Sequence, residues 1–117
     1  MYNYGDNMKY FITEQKRKTL HSTLFFEFQE GQENKDYKFT FRKENSMLLH
    51  ADLFDESRLY KIIPDLKYYA DTMINKESWN IIKNAEKSPL AQEIIDELSD
   101  WAEENFKKYD YFVIRGI

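Results

Sequence analysis

The sequence predicts an α+β domain: a four-stranded antiparallel meander, then three helices and a C-terminal strand, with the helices packed on one sheet face. Three observations predict it. Apolar side chains alternate with period two as far as residue 53 and then change to helical spacing. Ser88-Pro89 opens a long amphipathic run. Tyr109–Ile117 then returns to the aromatic and β-branched residues that suit a strand. The 117 residues fit one domain spanning 1–117, with residues 1–7 expected to be disordered ahead of the first strand.

The elements follow in order. Met8, Tyr10 and Ile12 alternate with Lys9 and Thr13, which predicts a half-buried first strand. Leu24, Phe26 and Phe28 predict the second, and Tyr37, Phe39 and Phe41 the third. Between them, the run 31–36 carries the turn residues Gly, Asn and Asp, so this pair reads as a β-hairpin. Met47, Leu49, Ala51 and Leu53 give a fourth strand. Asp55 then serves as an N-cap, and Leu59, Ile62, Ile63, Leu66, Ala70 and Met73 predict a helix kinked or broken at Pro64. A short helix over 77–86 presents Trp79, Ile82 and Ala85 on one side. The third helix takes Ser88 as N-cap and Pro89 as its first residue and runs to about Lys107.

Composition narrows the function. Leu, Ile, Val and Phe total 29 residues, with nine Tyr and two Trp beside them, enough for a folded core. Net charge is −4, distributed unevenly. Residues 1–43 hold 8 Lys/Arg against 6 Asp/Glu, whereas residues 44–117 hold 9 against 15. With no basic stripe to neutralise phosphates, neither nucleic acid nor an anionic membrane is the expected partner. The chain lacks cysteine, a signal-type N-terminal segment and any run of apolar residues long enough to span a bilayer, so a cytoplasmic location is expected. The Lys-, Asn-, Ile- and Tyr-rich composition suggests a bacterial or phage source.

The third helix holds the main candidate site. At 100° per residue, Glu93, Asp96, Glu97, Asp100, Glu103 and Glu104 fall within a stripe about 120° wide. No Lys or Arg interrupts it. Like charges at these spacings cost roughly 0.2–0.5 kcal/mol per pair, so the stripe reads either as an ordinary solvated face or as a dock for a basic protein. The pattern Glu93-x-x-Asp96-Glu97-x-x-Asp100 also resembles the acidic helices of the all-helical nucleotide pyrophosphatases. That resemblance implies a Mg²⁺- or Mn²⁺-dependent enzyme using the same carboxylates. The chain departs from it in having a β-rich first half and no second acidic helix.

Other residues weigh less. His50 and Asp52, two apart on the predicted fourth strand, share a face there as an acid–base pair would, while His21 stands apart. No nucleophile motif accompanies them, and structural histidines are the simpler expectation. Tyr60, Tyr68, Tyr69, Tyr109 and Tyr111 could stack bases, but Asp65 and Asp71 offset Lys61 and Lys67, so packing or interface roles are expected. Asn80 and Asn84 carry no readable signal.

These features predict a non-catalytic protein-binding module, with no catalytic, metal or cofactor residues of its own. In general character (small, cysteine-free, acidic and aromatic-rich) the chain resembles bacterial immunity and phage-encoded inhibitor proteins, which implies a basic protein partner. The alternatives are the metal-dependent enzyme and a small-ligand or structural module whose site lies between sheet and helices. A homo-oligomer is compatible with the tyrosine content, with no interface specified.

Overall fold

In a computed structural model, which describes residues 8–20, 24–32 and 45–117, the chain is α+β with a five-stranded antiparallel sheet and four helices among those residues. The strands are β1 (Phe11–Thr13), β2 (Phe25–Glu30), β3 (Met47–His50), β4 (Asp71–Asn75) and β5 (Tyr111–Arg115). The helices are α1 (Glu14–Arg17), α2 (Ala51–Glu56), α3 (Lys76–Asn84) and α4 (Pro89–Lys108), with a 3-10 turn at Leu59–Lys61. The third predicted strand and its hairpin, His21 and the expected disorder of residues 1–7 fall outside the described residues.

The sheet order is β1-β3-β2-β5-β4, not that of a meander. β3 lies between β1 and β2, and the C-terminal strand enters between β2 and β4. The reason is visible in β5 itself. Phe112, Val113 and Ile114 are consecutive and all buried, a pattern satisfied only by a strand covered on both faces.

The predicted helix across 55–73 does not form. α2 starts earlier, because the strand expected to include Ala51 and Leu53 stops at His50, whose Nδ1 accepts a hydrogen bond from Asp52 N–H at 3.0 Å as N-cap. The chain then turns through left-handed conformations at Arg58 (φ 61°) and Asp65 (φ 54°), which flank Pro64 and cannot continue a helix. Leu59 and Ile63 still reach the core, so helical spacing here reflects an irregular segment that buries the same side chains. Beyond it, Thr72 and Ile74 are buried while Met73 and Asn75 are exposed, the period of two that belongs to a strand.

The two later helices follow their capping signals. Asn75 Oδ1 accepts from Ser78 N–H at 2.8 Å and opens α3. Ser88 Oγ accepts from Ala91 N–H at 3.0 Å, Pro89 occupies the first turn, and Lys107 and Lys108 close α4 against the helix dipole. α2, α3 and α4 pack on one sheet face. There Phe26 stacks on Phe54 at 3.9 Å between centroids, and Trp79 and Trp101 meet Phe112 edge-on at 6.0 and 5.3 Å. Asn105, buried in α4, accepts from Gly31 N–H and donates to the Tyr111 carbonyl, both at 2.9 Å, tying the helix to the ends of β2 and β5. Gly31 is required there, because a Cβ would lie 2.3 Å from the Tyr111 oxygen.

On β2, β3 and the middle of β5 the far face is buried too, and it carries charge, whereas on β4 Met73 and Asn75 leave it exposed. Asp71, Arg115 and Glu27 stand in one cross-strand row, with Arg115 Nε donating to Asp71 at 3.1 Å and Ser46 Oγ donating to the buried Glu27 at 2.6 Å. Glu14, also buried, takes a bidentate pair from Arg17. Alternation alone would have placed Glu27 in solvent.

Candidate functional site

α4 spans the sheet with its apolar side inward, and its six stripe carboxylates do different work. Glu97 turns towards the chain's N-terminal segment. Its Oε2 accepts from Lys9 N–H at 2.9 Å, and its Oε1 accepts from Tyr10 and Phe11 N–H at 2.8 Å each. Glu93 accepts from the Tyr10 hydroxyl at 2.8 Å. One helical turn of α4 therefore holds the entry to β1, which charge-assisted bonds to backbone donors do well.

The other four carboxylates face outward. Asp96, Asp100, Glu103 and Glu104 are exposed, and Asp96 accepts from Gln92 Nε2 at 2.8 Å. Glu103 accepts from Trp79 Nε1 and Lys83 Nζ, both at 3.1 Å. The indole N–H first, and the Lys83 ammonium second, hold its carboxyl below the usual carboxylate range. Glu104 is likewise held low by its hydrogen bond with Lys107, at 2.8 Å. Both carboxylates therefore stay ionised through mildly acidic pH. Together with Glu30, Asp100, Trp101, Lys107 and Lys108 they line a shallow groove of about 650 Å³. Lys108 lies 3.9 Å from Glu30 across it.

Among the described residues, no three His, Cys, Asp or Glu side chains gather closely enough to hold a metal ion. The Glu93/Asp96/Glu97/Asp100 spacing forms no such cluster, and both Glu97 oxygens are committed to backbone donors. The His50–Asp52 pair is resolved as a helix cap, with Phe25 packed edge-on to the imidazole at 5.1 Å. Of the tyrosines, Tyr68 reaches both Asp55 oxygens at 3.0 Å, and burial, with Asp55 beside it, pushes its phenol up. Tyr60 and Tyr68 line a second depression of about 630 Å³ with Asp55, Ile63 and Leu66, and Tyr69 is largely exposed. Tyr111 binds the backbone of Gln32, and Tyr109 abuts Gly31. Asn84 bonds back to the Asn80 carbonyl within α3.

Two roles escaped the sequence reading: Glu97 as the clamp on residues 9–11, and Glu27 as a buried charge. Their partners lie far away in sequence or across the sheet, so no local spacing signals them. No helix among the described residues is long and apolar enough to cross a membrane. Fold and site together define a small α+β domain with a carboxylate-rich helix face. Compared with protein-family profiles, with curated proteins and with solved structures, the chain matches none.

Proposed function

We propose that this domain is a non-catalytic protein-binding module of the immunity or inhibitor type, docking a basic partner on the outward-facing carboxylates of α4. The observation that carries the reading is the groove in which Glu30, Asp100, Glu103 and Glu104 set four carboxylates against Lys107 and Lys108. Such a surface steers a cationic partner and fixes its orientation more than it supplies raw affinity. Asp96, Asp100, Glu103 and Glu104 make the contact. Glu93 and Glu97 belong to the same face and act inward, keeping the flanking N-terminal segment in place. The reading needs no cofactor, and a cysteine-free chain suits the reducing cytoplasm.

The test is capture of partners from host lysate by the native protein and by the Asp96→Lys, Asp100→Lys, Glu104→Lys triple variant, which spares the inward carboxylates. The reading expects a basic protein held by the native form, with affinity falling steeply with salt and more than about thirtyfold in the variant. Capture of the same protein at equal strength by the variant would sink it.

A further inference from the structure

The β4 edge carries a second surface, independent of the acidic face. β4 ends the sheet among the described residues. Asp71 is registered opposite Arg115, and Gly116 N–H donates to the Ala70 carbonyl at 2.9 Å. Antiparallel alternation therefore turns the backbone groups of Thr72 and Ile74 towards β5 and those of Asp71, Met73 and Asn75 outward. No described side chain caps those outward donors. β4 also lacks the lysine or proline with which edge strands are usually blunted, and Met73 is 58 % exposed at its centre.

The edge is complementary to itself. We propose that β4 pairs antiparallel with β4 of a second copy of this chain about a two-fold axis through Met73, joining the two sheets into one. In that register Met73 faces Met73 of the copy, and Asp71 faces Asn75 of the copy twice over. Residues directly opposite share a face, so the side chains of each pair meet. The chemistry matches. Asp71 Oδ1 takes Arg115 Nε while Oδ2 remains an acceptor, and Asn75 Oδ1 caps α3 while its Nδ2 remains a donor. An interface whose residue i meets j while j meets i is what a two-fold dimer requires.

The experiment is sedimentation equilibrium on the full chain, from micromolar to millimolar, with two variants. Asn75→Asp keeps a good cap for α3 and sets carboxylates opposite each other across the edge. Met73→Lys places like charges against each other on the axis. The pairing expects a reversible dimer whose dissociation constant rises about tenfold in Asn75→Asp and more in Met73→Lys. Thermal unfolding of each diluted monomer should match that of wild type. A wild-type chain that stays monomeric at millimolar concentration overturns the proposal. So does a dimer that neither variant weakens. Neither result bears on partner capture by α4, because both variants leave that face intact.

Discussion

The two edges of the sheet are finished in opposite ways. At β1 the strand is three residues long, and the outward N–H of Phe11, with those of Lys9 and Tyr10 before it, is taken by Glu97. At β4 the strand is five residues long and its outward groups meet no described side chain. The difference is not one of strand composition, since both strands mix polar and apolar residues. It arises because α4 runs beneath the sheet and directs a carboxylate to one edge only. Towards the other side, Glu103 reaches Trp79 and Lys83 on α3, the helix that follows β4, and leaves the strand itself alone. Closing an edge is thus a tertiary act, and the unclosed edge is where association is to be sought.

Breaking the closed edge should give the largest effect. Glu97→Ala strands three backbone donors that a charged acceptor now satisfies, and we expect a loss of about 3 kcal/mol in chemical denaturation. Amide exchange over residues 8–13 should accelerate while α3 and β4 are unaffected. Glu97→Gln keeps one carbonyl oxygen in reach and should lose about 1 kcal/mol. A Glu97→Ala chain as stable as wild type would mean that the clamp contributes nothing. Next comes Asn105, which serves the sheet interior as Glu97 serves its edge. Asn105→Ala leaves the buried Gly31 N–H and Tyr111 carbonyl without their partner and should cost about 2 kcal/mol, read in the same denaturation series.

The contrast can be sharpened on the open side. Thr72 Oγ1 accepts from Lys67 N–H at 2.8 Å and fixes the turn that delivers the chain into β4. Thr72→Val keeps the shape and removes the acceptor, so a loss of about 1 kcal/mol is expected. Because the Thr72 side chain is buried and its backbone groups bond to β5, the self-association of the edge should be unchanged by it. A variant that lost association along with stability would show that the turn, not the edge register, sets the pairing.

How much of this was legible in the sequence depends on where each signal's partner lies. α4 was legible to within a residue or so because Ser88, Pro89 and the apolar period are local. β2 and the antiparallel, helix-backed α+β class were legible for the same reason. The segment 55–73 was misread because Leu59, Ile62, Ile63 and Leu66 imitate a helix, while the left-handed turns around Pro64 that prevent one leave no mark in hydrophobic spacing. Sheet order was hidden because β5 inserts between strands distant in sequence, although its unbroken apolar run already marked a central strand. The acidic stripe was visible as a pattern. Its division was not, since the donors that occupy Glu97 come from 86 to 88 residues away.

The smallest expected effect concerns the carboxylate on the open side. Glu103 is held low in the folded protein by Trp79 and then Lys83, so folding is favoured with its carboxylate ionised. A group whose folded pKa is depressed contributes its full stability above its unfolded value, about 4.3 for glutamate, and loses it as pH falls through the lower folded value. The stability gap between wild type and Glu103→Gln should therefore be flat around neutral pH and narrow below about pH 4. Its size should stay under about 1 kcal/mol, because the side chain is half exposed and water screens the Lys83 pair. Salt separates the two causes. Moderate salt weakens the ammonium contact but leaves the indole hydrogen bond, so part of the gap should survive. A gap that salt abolished entirely would assign the effect to Lys83 alone, and with it the attachment of α3 to α4 would rest on packing rather than on this carboxylate.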